Sequence, residues 1–254
     1  YDSHRAMMEA WNSKMWNSTS GLLLWMSHPA WPSMVWQIYS WDYETFGSFY
    51  GCRKACEPIH IQKNLDDQKV VVVNTSLKEI KGAKVIYEVY SLEGKSLFKR
   101  TSKLNVLANG LTECFVQDKP ISASGVYMER LILQDKRGKV ISINDYWQDN
   151  GEGDFQGFNA LEEASINCKL IRQKESQIQI ELQNTGAMPA LALKLNVREA
   201  DTDKRILPAY ASDGYFNLLP GEKRTVTVEY VSRGKVAISA EGYNLKRSRL
   251  LTLK

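Results

Sequence analysis

The chain has 254 residues, which at about 150 residues per domain leaves room for two domains and a shorter third element. Hydrophobic residues at 43% and charged residues at 24% give an ordinary globular balance that excludes a disordered or fibrous protein. The net charge of +4, from 33 basic and 29 acidic residues intermixed along the chain, is too weak and too dispersed to build a nucleic-acid-binding face. No apolar stretch approaches the roughly 18 residues of a membrane-spanning helix, so neither nucleic acid nor membrane is expected as a partner. Tyr1 is not an initiator Met and begins no basic-then-apolar leader, so the chain is expected to be a piece of a longer protein.

Asp2-Ser3 can cap a helix running from His4 through Trp11 to Trp16, with apolar residues at helical spacing. Asn17–Gly21 breaks it, and Leu22–Met26 is a short apolar run expected to form a strand buried on both faces of a parallel sheet. A loop follows with His28-Pro29-Ala30-Trp31-Pro32 and Trp36; Phe46–Ala55 then reads as a second helix, ended by Pro58. Helix, strand, long loop and helix make one α/β repeat with the helix of the preceding repeat attached.

From Ile59 the period becomes two. Ile59–Gln62, Val70–Val73, Val85–Tyr90, Ser96–Val106, Thr112–Val116, Val126–Leu133 and Val140–Trp147 read as strands, with hairpin turns at Leu92–Lys95 and Asp135–Lys139. That density of short strands predicts an immunoglobulin-like sandwich. After a glycine-rich acidic linker at 149–158, a second series begins: Ala164–Ile171, Gln177–Gln183, Ala190–Glu199, Thr225–Tyr230, Val236–Glu241 and Arg249–Leu253. The expected fold is mainly β, two tandem immunoglobulin-like β-sandwiches (58–148 and 159–254) preceded by a terminal α/β segment (1–57).

Candidate chemistry is sparse. Cys52, Cys56, Cys114 and Cys168 are too few for a disulfide scaffold and are expected to be reduced and mostly buried. Cys52-x-x-x-Cys56-x-x-x-His60 has metal-like spacing, but Pro58 interrupts the helix and a fourth ligand is missing. Asp149–Asp154 resembles a calcium loop, yet Gly151 and Gly153 occupy positions where oxygen ligands belong. No metal or cofactor is expected. Asn17-Ser-Thr19 and Asn74-Thr-Ser76 fit the glycosylation acceptor pattern, which also arises by chance.

Six of the seven tryptophans fall before residue 42. Trp11 and Trp16, on the first helix, are expected in the core. Trp25 closes the apolar run, and Trp31 and Trp36 lie just beyond it. In a parallel α/β barrel that is the end where ligand sites form, so a platform for pyranose rings and core packing both fit these three.

The stretch Gly21-Leu-Leu-Leu-Trp-Met-Ser-His-Pro-Ala-Trp-Pro-Ser to Asp42, followed by Phe49–Gln62, resembles family-2 glycoside hydrolases of the exo-β-glucosaminidase, β-mannosidase and endo-β-mannosidase branches. Ser212-Asp-Gly-Tyr-Phe-Asn-Leu-Leu-Pro-Gly-Glu222 and Glu241-Gly-Tyr-Asn244 resemble that family's C-terminal immunoglobulin-like domain. The resemblance implies that 1–57 is the end of a catalytic (β/α)8 barrel. It also implies a retaining mechanism with two carboxyl groups about 5 Å apart, both upstream of Tyr1. Glu9, Glu44 and Glu57 stand in no matching motif, so the chain is expected to hold no catalytic residue. Trp25 matches the family's substrate-floor tryptophan, and Trp31 and Trp36 would line the rim; His28-Pro29 stands where mannosidase-like members carry Asn-Asp, which leaves substrate preference open.

The implied partner is an oligosaccharide or polysaccharide, bound through the missing barrel, in a periplasmic or secreted protein. A self-standing carbohydrate-binding or adhesive module is the alternative reading. Leu22–Met26 and both helices are expected to bury their apolar faces against the first sandwich or in a non-native dimer.

Overall fold

The computed structural model describes residues 1–33, 37–117, 125–149, 151, 153–231 and 234–253. Helices α1 (Asp2–Asn12) and α2 (Gly47–Ala55) precede β1 (Ile59–Lys63), β2 (Lys69–Asn74), β3 (Ile80–Ser91), β4 (Ser96–Val106), β5 (Gly110–Val116), β6 (Tyr127–Gln134) and β7 (Val140–Gln148). These strands form antiparallel sheets in the orders β1-β2-β5 and β4-β3-β6-β7. A 3-10 turn at Gln156–Ala160 leads into β8 (Ile166–Lys174), β9 (Gln177–Asn184), β10 (Ala190–Glu199), β11 (Ala209–Ala211), β12 (Phe216–Leu218), β13 (Lys223–Tyr230), β14 (Val236–Gly242) and β15 (Leu245–Leu253). Their sheets run β11-β13-β9-β8 and β12-β10-β14-β15. The protein is mainly β, built from immunoglobulin-like sandwiches.

Two compact units result. The N-terminal-sandwich unit comprises Asp2–Leu24 and Gly51–Asn159; the C-terminal-sandwich unit comprises Tyr1, Trp25–Tyr50 and Ala160–Lys254. In the latter, β9 reads Gln-Ile-Gln-Ile-Glu-Leu-Gln-Asn and buries Ile178, Ile180 and Leu182 completely against Leu193, Leu218, Val226 and Ile238. Each such side chain contributes roughly 1.5–3 kcal/mol of burial. In the N-terminal unit Ile61, Val70, Val72, Tyr87, Leu131 and Leu133 form the corresponding core. The hairpin turns close as expected, with Gly94 and Gly138 in the left-handed region.

Several expectations fail for identifiable reasons. Leu22–Met26 is not a strand: no other strand pairs with it among the described residues, and Met26 adopts a left-handed φ of 58° that ends an extended run. Leu23 is 96% exposed, and Leu24, Trp25 and Met26 are exposed too, so this run does not bury its apolar side chains. Helix α1 stops at Asn12 rather than Trp16 and turns Arg5, Met8 and Glu9 inward, so Trp11 and Trp16 face solvent. The N-terminal half of α2 sends Tyr50 into the core of the second sandwich, not the first. All four cysteines are free, but only Cys52 is buried. The linker is not featureless: Phe158 packs edge-on against Trp147, with Phe155 stacked on Phe158.

The glycine of Ser212-Asp-Gly-Tyr has a packing reason. A Cβ at Gly214 would stand 2.8 Å from Cζ of the buried Tyr50, whose hydroxyl pairs with Thr45 Oγ1 at 3.1 Å. Gly214→Ala should therefore destabilise the C-terminal unit by about 1–3 kcal/mol. A lowered midpoint in urea unfolding checks this; an unchanged midpoint would mean that the ring shifts freely.

Candidate functional site

In the C-terminal unit, the described residues 25–33 and 37–45 form aromatic-rich loop segments on the outside of the sandwich. Ser27 O accepts from the backbone N–H groups of Ile38 (3.2 Å) and Tyr39 (3.0 Å), which closes the loop at its base. A tight turn follows, with Tyr43 N–H donating to Ser40 O at 3.0 Å and Glu44 N–H to Ser40 Oγ at 3.1 Å. The His28 ring stacks on Tyr43 with centroids 4.4 Å apart, and its Nε2 lies 3.1 Å from Trp41 O. Glu44 pairs with Lys194 of β10 and with Arg205, and Arg205 also reaches Asp42 at 3.4 Å. These ion pairs and the buried Pro29 fix the loop while its large rings stay in water.

Trp25 is 79% and Trp31 68% exposed, and Trp41 and Tyr43 are exposed as well. The loop thus offers flat apolar faces beside polar groups, an arrangement suited to the C–H faces of pyranose rings. Trp36 lies outside the described residues. Trp41 and Tyr43 were not singled out by the sequence, although both fall within the same aromatic-rich stretch. The loop's own carboxylates, Asp42 and Glu44, are already committed to cations, which leaves neither arranged as a proton donor or a nucleophile. Of the two glycosylation-type triplets, Asn74 is fully buried with its amide spent on Lys78 O and Leu107 O, whereas Asn17 is exposed.

The N-terminal unit holds a feature that sequence reasoning missed, a buried polar joint between α1, β1 and β7. The Glu9 carboxylate accepts from His60 Nε2 (2.9 Å), Asn144 Nδ2 (2.6 Å) and the Tyr146 hydroxyl (3.0 Å). His60 Nδ1 faces Glu57 at 3.3 Å, and Glu57 also accepts from Lys54 and from Ser142 Oγ. Arg5 donates to Asn144 Oδ1 at 2.8 Å and lies over the Tyr146 ring at 4.4 Å. Next to them, buried Lys63 pairs with Glu129 at 2.7 Å, and the Tyr87 hydroxyl donates to Glu129 at 3.0 Å.

Burial alone would push the His60 imidazole down, but hydrogen bonds to Glu57 and Glu9 and their charges outweigh it and raise its pKa. Burial would likewise raise Glu57, yet His60, Lys54 and Ser142 together bring it below the usual carboxylate value. Tyr146 is raised well above the ordinary phenol value, first by burial and then by Glu9. The available signal was β1 itself: Ile-His-Ile-Gln-Lys puts polar side chains on the face that alternation assigns to solvent, yet His60 and Gln62 are completely buried.

The fold is that of tandem immunoglobulin-like sandwiches, and the C-terminal unit carries an exposed tryptophan loop. Residues 144–245 match the family of exo-β-D-glucosaminidase Ig-fold domains. The chain is 26% identical over 270 residues to an exo-β-D-glucosaminidase of Arthroderma benhamiae, covering 97% of this chain and 30% of that protein. It is 26% identical over 313 residues to a mannosylglycoprotein endo-β-mannosidase of Lilium longiflorum, covering 96% and 33%. The crystal structure of the exo-chitosanase CsxA of Amycolatopsis orientalis superposes with a TM-score of 0.86 at 26% identity, over 97% of this chain and 33% of that one. The chain therefore resembles the C-terminal part of family-2 glycoside hydrolases and spans 30–33% of the length of these relatives.

Proposed function

We propose that the chain is the C-terminal portion of a retaining β-glycosidase that hydrolyses β-glucosaminides or β-mannosides. Residues 1–57 are the end of its (β/α)8 barrel, 58–148 and 159–254 its two sandwiches, and 149–158 the linker between them. Trp25 and Trp31, with Trp36, bind the sugar, while both catalytic carboxylates belong to barrel segments outside this chain.

The observation that carries this reading is the exposed aromatic loop on a chain similar to the relatives along almost its whole length. The commitment of Asp42 and Glu44 to cations supports the placement of the acid and nucleophile elsewhere. Two carboxyl groups flanking one glycosidic bond are the minimum for this chemistry. The purified chain should accordingly show no turnover of aryl β-glucosaminides or β-mannosides. Turnover above a buffer control that survives repurification would sink the proposal. In the whole parent, Trp25→Ala should lower kcat/KM about tenfold or more through loss of stacking on the sugar.

A further inference from the structure

The sheet β11-β13-β9-β8 carries one row of side chains that crosses all four strands. Its register sets Tyr210 opposite Glu229, Glu229 opposite Gln177, and Gln177 opposite Lys174. Residues directly opposite each other share a face, and at about 4.8 Å between strands the row runs for roughly 14 Å. Beside it lies an open depression of about 550 Å³, lined also by Glu175, Pro208 and the buried Tyr230.

Several polar groups around this depression are uncommitted among the described residues. The Tyr210 hydroxyl, the Glu175 carboxylate and the Lys174 ammonium have no hydrogen-bond or ion-pair partner among the described residues. Glu229 engages Gln177 Nε2 at 2.8 Å through one carboxylate oxygen and leaves the other open. Further along the same sheet the charges are paired, as in Lys223 with Glu181 at 3.0 Å. A concave surface of this size with a few convergent polar groups has the dimensions of a ligand site.

The chemistry narrows the ligand. Tyr210 and Pro208 supply flat apolar faces, while Glu229, Gln177 and Lys174 supply acceptors and donors at strand spacing for successive hydroxyls. Among the described residues, two open carboxylates against one ammonium favour a ligand that carries positive charge among its hydroxyls. Tyr210 also lies near Tyr39, whose phenol is raised by burial and then by that neighbour, and Tyr39 sits at the base of the tryptophan loop in the same unit.

We propose that this depression is a second sugar site, which binds a cationic amino-sugar oligosaccharide, a short β-glucosaminide chain. The inference rests on the glucosaminide half of the proposed function. Titration of a β-1,4-linked glucosamine tetramer into the chain, followed by amide chemical shifts, tests it. Saturable shifts are expected in β9, β11 and β13, with the affinity read from those shifts about tenfold weaker in Tyr210→Ala and in Glu229→Gln. Glu229→Gln preserves shape, so it reads the charge even where Tyr210→Ala disturbs the short strand β11. No shifts in these strands, or affinity in both variants equal to that of the parent sequence, would overturn the site. Affinity lost only in Trp25→Ala would overturn it and leave the proposed function standing. Binding of mannotetraose in place of the glucosamine tetramer would overturn the amino-sugar assignment alone.

Discussion

Replacing Glu9 with alanine should cost the N-terminal unit about 3–5 kcal/mol, the amount expected when one member of a buried charge pair is removed. Glu9 is 3% exposed, and its two oxygens accept from an imidazole, an amide and a phenol. Truncation leaves those donors without their acceptor and leaves the fully buried His60 facing a single carboxylate. Glu9→Gln keeps the volume but loses the charge, so a smaller loss of about 1–3 kcal/mol is expected. The hydrogen bond from Gln62 Nε2 to the Glu9 backbone carbonyl survives both changes, so α1 stays docked while its side-chain anchor is gone.

Thermal unfolding should show the alanine variant melting roughly 10 °C lower. Hydrogen exchange should place the loss in β1 and β7 rather than in the C-terminal unit. Equal melting of Glu9→Ala and the parent sequence would show that water replaces the carboxylate at no cost.

The two sandwiches were legible because their strands obey a period of two with one face inward: β9 alternates without a break, and β3 is hydrophobic at the positions that reach the core. Strands β11 and β12 escaped because three residues are too few to display a period. Leu22–Met26 was misread because hydrophobicity reports what a segment needs to bury, whereas a strand also needs a neighbour to receive its backbone hydrogen bonds. Helix α1 was misread in the opposite sense. Its inward positions 5, 8 and 9 have helical spacing but include Arg5 and Glu9, because the surface they meet is the polar outer face of β1 and β7. Amphipathic reasoning therefore sent Trp11 inward, the reverse of what the partner surface demands. The aromatic loop was legible as composition, but the ion pairs that tether it, Glu44 with Lys194 and Arg205, join residues 150 or more positions apart.

The same joint should make stability depend on pH in a direction fixed by its two perturbed groups. His60 has a carboxylate at each ring nitrogen, and the two carboxylates favour the charged ring over the neutral one. Its folded pKa lies above the ordinary 6.5, so its contribution is fully present below that value and is lost as pH rises through the folded pKa. In that interval the native state holds a proton that the unfolded chain has released, and the free energy of unfolding should fall by about 1.4 kcal/mol per pH unit. Glu57 works from the other side. Its folded pKa lies below the ordinary 4.5, so its contribution is complete above 4.5 and is lost as pH falls through the folded value. Both contributions are complete only between 4.5 and 6.5, and there the joint should be strongest. Denaturant unfolding of the parent sequence and of His60→Gln across this range and up to about pH 9 separates the joint from the rest of the molecule. The stability difference between them should be largest inside the window and shrink on the alkaline side. Parallel curves from neutral to alkaline pH would mean that His60 is neutral in the folded protein and that the joint is held by hydrogen bonds without charge.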